Sequence, residues 1–448
     1  MDTTQKLQSP KGTRDFFPVE MAARRHIEAA WRSASIDCGF EEIDGPTFEH
    51  LDLYTIKSGE GIVNELFSFT RAGGESTYAL RPEFTPTLAR MVVARGQQMP
   101  QPIKWFCMPS MFRAERPQRG RLREFQQWNV DLVGAAGPEV DAEVISVAVL
   151  ALERLGLGPK DVQVRLSHRD AMATILRRVG VRADAMGAAF ELVDRRDKMQ
   201  PEAFAAKAAE LGFDADGAAR FDRIARTKRP LAASIEDLAL AIDVPLADLD
   251  GLVALRDRLA AIGLTEWCSW DLGIVRGLAY YTGMVFEIHE ITGAERAVAG
   301  GGRYDTLVEL FGGPSMPACG FGMGDVVLSL VLADRGLLKP EERLPRPDAF
   351  LISNGCVAAE TELPRLLGSL RRAGLHVRPS YKATRNVGKL LGDAAKARSR
   401  TAVILDDKLA TGLVVVKDLE AGTQQDLPIG DLTGHLRALR ALRAGRSP

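Results

Sequence analysis

Between Met111 and Gly134 the chain sets five arginines, Arg113, Arg116, Arg119, Arg121 and Arg123, around Glu115 within eleven residues. Guanidiniums packed this closely repel one another unless something anionic sits among them, and their planar forks match phosphate oxygens. The run that follows, REFQQWNVDLVG, alternates in character. As a strand it would put Phe125, Gln127, Asn129 and Asp131 on one face, with Trp128, Val130 and Leu132 on the other. The second face is apolar and suits a core. The first carries two amides and a carboxylate, as the floor of a pocket for a polar ligand would. A solvated arginine turn on an exposed hairpin has the same composition. Trp128 and the long apolar flanks favour a central strand over an edge.

Three further stretches could line a polar pocket. In VRGLAYYTGMVFEI, Arg276 precedes a glycine turn and the aromatic pair Tyr280 and Tyr281. These could face a ligand or form a strand-edge pair beside a surface arginine. In AGGGRYD, three glycines permit close backbone approach and Arg303 reads as the opening of the next helix. In LRPEFTPTLAR, Glu83 and Thr85 stand at a Pro-initiated helix entrance, where an acid also complements the helix dipole. None of the six histidines lies at metal-ligand spacing from another, and no metal ligands are assigned. The five cysteines are far apart and form no CxxC pair. That disfavours a zinc site or disulfide framework and suits a reducing compartment.

The elements that must hold these residues fall into three textures. Up to about residue 168, strand-like runs alternate with amphipathic helices, and the arginine-bearing segment reads as a long antiparallel hairpin. Residues 169–265 are Ala-rich with helical spacing throughout, which predicts an all-helical insertion. Strand texture then returns, and a Pro-rich linker around 336–347 leads to a final α/β module with helices on a mostly parallel sheet. A length of 448 residues is compatible with two to four domains. A net charge of −1 excludes a uniformly basic nucleic-acid coat protein. The charge is uneven, however: from Pro347 onward there are sixteen Lys and Arg against ten Asp and Glu, and before it forty-two against forty-nine. A basic module on an acidic body suggests a part that meets an anion. The start, MDTTQKLQSPKGTRDFFP, has the features of neither a signal nor a transit peptide, and no apolar run approaches the ~20 residues of a membrane span. A cytoplasmic location is expected.

Taken together and in order, KGTRDF (11–16), LRPEFT (80–85), FRAERPQRGRLREFQQ (112–127), RGLAYYTGMVFE (276–287), GGRYD (301–305) and GFGMG (320–324) resemble the histidine–tRNA ligases, which are class II aminoacyl-tRNA synthetases. The match runs from about residue 9 into the tail, where TGLVVVKDLEAGTQQDLP is similar to the end of the family's anticodon-binding domain. The resemblance implies an α+β fold: an antiparallel class II sheet flanked by helices over 1–345, a helical insertion at about 169–265 that touches the tRNA acceptor stem, and a C-terminal α/β anticodon-binding domain over 346–448. It implies a homodimer, with Pro46 in the dimer-interface motif, and histidine, ATP with Mg²⁺, and tRNA(His) as substrates and partners, with no membrane. On the matching positions, Arg113 and Arg276 would grip the α-phosphate of ATP as catalytic residues. Glu115 would meet the adenine amino group, Phe125 would stack on the ring and Arg121 would reach the outer phosphates. Glu83 and Thr85 would hold the α-ammonium of histidine and Gln127 its carboxylate, while Asp131, Tyr280 and Tyr281 would surround the imidazole. Arg116, Gln118 and Arg119 would face the tRNA acceptor end.

Two positions depart from the family pattern. Val326 and Val327 stand where Glu-Arg is typical, which removes an arginine from the adenine and γ-phosphate region. Asp131 replaces a glutamate one methylene longer. The competing functions are a non-catalytic synthetase-like regulatory subunit of ATP phosphoribosyltransferase, a plain RNA-binding protein and a ligase for another amino acid. The basic tail and the intact arginines argue against the first, the polar strand face against the second, and RGLAYYTG against the third.

Overall fold

The structure is a computed structural model that describes residues 7–58, 60–275, 281–382 and 384–444. The chain divides into two compact units, Met1–Arg343 and Leu344–Pro448.

In the first unit a 10-stranded sheet carries the site. Six strands run antiparallel in the order Ile103–Cys107, Glu124–Val133, Ala318–Gly324, Ala299–Arg303, Met284–Glu290 and Val162–His168. Glu41–Glu42 pairs parallel at one end and Cys268–Asp271 pairs parallel with Val162–His168 at the other. Residues 103–133 do form the hairpin read from the sequence, with the short strand Ser110–Phe112 pairing the beginning of the long return strand. Sequence neighbours pair where a short connection suffices, as in Met284–Glu290, Ala299–Arg303 and Ala318–Gly324. By contrast, Glu124–Val133 with Ala318–Gly324 and Val162–His168 with Met284–Glu290 are long-range pairings.

The apolar face of the sheet is sealed by the helices Pro18–Asp37 and Pro138–Arg154. Trp128 stacks on Trp31 at 5.8 Å between ring centroids and meets Phe321 edge-on at 5.0 Å. The Trp128 indole N–H donates to Ser35 Oγ at 3.0 Å, so this buried donor is satisfied. The alternation of the return strand thus has its expected physical outcome, since its apolar residues belong to the core and its polar ones do not.

The 169–265 segment is mostly helical, from Arg169–Arg178 to Asp250–Ala261, but not wholly so. Lys228–Pro230 is a strand that pairs antiparallel with Cys268–Asp271 and extends the sheet. Its residues, KRP, carry no strand-like alternation, and only the open edge of Cys268–Asp271 makes them extended.

The second unit is a 5-stranded sheet in the order Val377–Pro379, Ala349–Ser353, Thr401–Leu405, Leu413–Asp418 and Gln424–Pro428. The helices Val357–Arg372 and Leu432–Ala444 pack on one face through Leu366, Leu370 and Leu436, and Val387–Lys396 packs on the other through Leu390. The first two pairings are parallel and the last two antiparallel, so the sheet is mixed rather than mostly parallel. The difference comes from connections: after Thr401–Leu405 only a short turn precedes the next strand, too short for a parallel crossover.

Candidate active site

The polar face of Glu124–Val133 lies at the centre of the sheet, and Phe125, Gln127, Asn129 and Asp131 all line a cleft of about 670 Å³. Asp131 lies opposite Gly320, which lies opposite Gly302, and Asn129 aligns in the same way with Gly322 and Gly300. Two neighbouring strands therefore present bare backbone on the cleft side. The glycines are required by what covers them. A Cβ on Gly320 would sit 2.3 Å from Asp131 Oδ1 and 2.6 Å from the Tyr304 hydroxyl, and one on Gly322 would sit 2.7 Å from Gln127 Nε2. GFGMG is thus a floor over which the two recognition side chains fold.

Asp131 is buried, and the Tyr304 hydroxyl donates a close hydrogen bond to its Oδ1. Burial disfavours the charged form more than this bond favours it, so the carboxyl is pushed up to about 7. The Tyr281 ring meets Tyr304 edge-on at 6.4 Å, which gives the carboxylate an aromatic rim. Tyr304 was absent from the residues expected at the site, although GGRYD contains it. Reading Arg303 as a helix opening hid the alternation that places Tyr304. Arg303 instead ends the strand Ala299–Arg303 and is buried, donating to Asp141 at 2.6 Å, to Asp305 at 3.1 Å and to the Gly137 carbonyl. Its role is to join strand and helix, and Tyr304 follows on the cleft side.

On the facing wall, Glu83 and Thr85 line the cleft where the helix Thr85–Arg95 begins. Glu287 and His289, two residues apart on one face, also line it and are hydrogen bonded at 2.8 Å. Asp194, Asp197 and Lys198 from the insertion reach its mouth.

The arginine hairpin is organised rather than merely crowded. Arg113 Nε donates to the Pro82 carbonyl at 3.1 Å and its guanidinium lies 5.1 Å from the Phe125 ring centre. Arg121 forms a close ion pair with Glu115, and Arg119 pairs with Glu295 at 2.5 Å. Arg113 and Arg121 line the cleft, and Glu115 pairs with Arg121. Arg116, Gln118 and Arg119 are exposed at the turn, with Gln118 and Arg121 bridged across Gly120. The N-terminal KGTRDF segment ties the hairpin down. Arg123 N–H donates to the Gly12 carbonyl at 2.8 Å, and Arg14 donates to buried Asp325 at 2.7 Å, which also accepts from Gln126 N–H at 3.0 Å. Val326 and Val327, in the first turn of Asp325–Asp334, contribute only methyl groups to the cleft wall. Arg276 and Tyr280 lie outside the described residues.

A cleft with a buried carboxylate bonded to the Tyr304 phenol, the Tyr281 ring against that phenol and two guanidiniums on its lining can hold a polar side chain and a phosphate together. Comparison with known proteins agrees with that chemistry. A family model described as histidyl-tRNA synthetase matches residues 12–324. A histidine–tRNA ligase of Opitutus terrae is 39% identical over 425 residues, covering 94% of this chain and 96% of that one. That of Thermoplasma volcanium is 35% identical over 96% of this chain and 98% of its own. The crystal structure of histidyl-tRNA synthetase from Nostoc sp. PCC 7120 has the same fold, with a TM-score of 0.75 at 21% identity over 97% of this chain and 100% of that one. A Bacillus halodurans structure titled an ATP phosphoribosyltransferase regulatory subunit/histidyl-tRNA synthetase shares it too, with a TM-score of 0.71 at 22% identity over 90% of this chain and 99% of that one. On a match that extends along almost its whole length, the chain belongs to the histidyl-tRNA synthetase family.

Proposed function

We propose that this protein attaches histidine to tRNA(His), forming histidyl-adenylate from histidine and ATP and then transferring the histidyl group to the terminal ribose of the tRNA. The observation that carries the reading is the row Phe125, Gln127, Asn129, Asp131 on one strand face, flanked by Tyr281 and Tyr304 at one end and by Arg113 and Arg121 at the other. Asp131 would accept from an imidazole N–H, with the phenols beside it, selecting a ring with two distinct nitrogens over apolar side chains. Glu83 and Thr85 would hold the α-ammonium and Gln127 the carboxylate. That carboxylate attacks the α-phosphorus and displaces pyrophosphate, and negative charge grows on the non-bridging oxygens. A guanidinium already fixed by Pro82 and Phe125 stabilises this charge without reorganising. We assign Arg276 the opposite side of the same phosphate on its motif alone. Adenine would share the Phe125 ring with Arg113, with Glu115 at its amino group.

Among the described residues no group of three or more His, Cys, Asp or Glu side chains is arranged to hold a metal ion. Mg²⁺ is characteristically bound through one or two carboxylates and substrate phosphates. It therefore belongs to this reading as part of the Mg–ATP substrate.

The exposed turn with Arg116, Gln118 and Arg119 would meet the acceptor end of the tRNA, and the basic unit from Leu344 onward its anticodon. We further propose a homodimer. Phe48 and Phe69 are exposed on a 3-stranded sheet, with ring centroids 5.6 Å apart, in the segment that follows Pro46. Sedimentation equilibrium should give twice the chain mass, and Phe69→Asp should shift it toward the monomer. No described helix is long and apolar enough to cross a membrane, and we place the enzyme in the cytoplasm, where tRNA is charged.

The deciding experiment is ATP–pyrophosphate exchange, which should require histidine and Mg²⁺. Absence of exchange, together with stimulation of a phosphoribosyltransferase, would instead identify the regulatory subunit. Removing residues 344–448 should lower tRNA charging at least tenfold more than exchange, and equal losses would make the tail structural.

A further inference from the structure

The wall of the cleft where Val327 offers only methyl groups is not left without a cation. Arg296 lines the same wall, and its side chain and that of Val327 converge on Gly120 at the tip of the arginine hairpin. The position a Cβ would take on Gly120 is 3.3 Å from Val327 Cγ2 and 3.7 Å from Arg296 Cδ, and Gly120 has a φ of +73°. A side chain there would be strained and would press on both.

The loop that carries Arg296 joins Met284–Glu290 to Ala299–Arg303 and is built around one carboxylate. Glu290 accepts from the backbone N–H of Thr292 at 2.8 Å, of Ala294 at 2.5 Å and of Glu295 at 3.3 Å, and from the Thr292 hydroxyl at 2.7 Å. Burial alone would raise this group, but the Thr292 side chain and these N–H donors outweigh it and carry it down to about 2. The carboxylate is therefore ionised and the loop is held at any pH where the enzyme works. The next two side chains diverge. Glu295 turns to Arg119 at 2.5 Å, while Arg296 lines the cleft and forms no ion pair among the described residues. Burial and the nearby Arg121 both lower the Arg296 pKa from its usual value, with Glu115 acting in the opposite direction. Arg121, which pairs with Glu115, and Arg296 act on each other across this part of the wall, and among the described residues Glu115 is the one carboxylate that acts on Arg296, a local balance that suits an anion.

We propose that Arg296 binds the outer phosphates of ATP, taking the place of the arginine that Val327 replaces. This deepens the adenylation reading and rests on it. A guanidinium presented by a pinned loop loses little freedom on binding and can fork onto phosphate oxygens.

The test is Arg296→Ala, assayed by histidine-dependent ATP–pyrophosphate exchange with each substrate varied. The KM for ATP should rise at least tenfold, while the KM for histidine and the unfolding temperature stay within error of wild type. Calorimetric affinity for a non-hydrolysable histidyl-adenylate analogue, which lacks the outer phosphates, should be unchanged by the substitution. A KM for ATP within twofold of wild type would overturn the proposal, as would equal losses for ATP and the adenylate analogue. If wild type itself shows no histidine-dependent exchange, the adenylation reading fails separately. Calorimetry with ATP and with AMP then still decides the phosphate site, because only ATP should lose affinity in Arg296→Ala.

Discussion

Arg113→Ala is expected to slow histidine-dependent ATP–pyrophosphate exchange by about 10²–10³-fold, the usual cost of removing one preorganised charge from a transition state. The loss should fall mainly on kcat, because the charge on the non-bridging oxygens is greatest after attack has begun. Folding should be little affected. The guanidinium packs on Phe125 and donates to one carbonyl, and it is only partly buried. Arg113→Lys should recover only a small part of the rate, since an ammonium lacks the planar fork that Pro82 and Phe125 orient. Near-normal kcat in the alanine variant, measured beside an unchanged melting curve, would remove Arg113 from the chemistry.

The second large effect concerns Asp131. Asp131→Asn should raise the KM for histidine about 10²-fold at pH 8, the loss of a buried hydrogen bond to a charged acceptor. The penalty should shrink as pH falls. The wild-type carboxyl is pushed up to about 7 by burial, so at pH 8 it is ionised and accepts from imidazole, whereas at pH 6 it is mostly protonated and resembles the amide. The imidazole of free histidine titrates in the same range, but equally for both proteins, so the ratio of the two KM values isolates Asp131. The sign for stability runs the other way. The folded state holds this proton more tightly than the unfolded chain, whose ordinary value is 3.8. The group's contribution to stability is therefore complete below that value and is lost as pH rises through about 7. Asp131→Asn should be at least as stable as wild type at pH 8 by thermal unfolding. A ratio of KM values constant from pH 6 to pH 8 would contradict the titration assigned here.

Much of this site can be read along the chain because the return strand encodes its own two faces. Period-2 alternation separates Gln127, Asn129 and Asp131 from Trp128, Val130 and Leu132, and no knowledge of neighbours is needed to see it. The glycine runs were legible as unusual but not as a floor. Their meaning depends on Asp131 and Gln127 lying over Gly320 and Gly322, which is a matter of register between strands almost 200 residues apart in sequence. The same dependence hid Tyr304, whose partner Asp131 is 173 residues away. It also let Arg303 pass for a helix opening when its partner is Asp141.

Local pattern, then, determined the hairpin, the polar row, the arginine cluster, the three textures along the chain and the likeness to a family, because periodicity and residue type act over a few neighbours. Tertiary structure alone decided which side chains share the cleft. It brought Tyr304 to Asp131 and Arg14 to Asp325, spent Glu295 on Arg119, and set Arg296 beside Val327. It also recruited Lys228–Pro230 to a sheet edge that their own sequence does not call for. Pairings of this kind form only when distant strands close, and the free energy that selects them comes from burial and charge at the junction rather than from either segment alone.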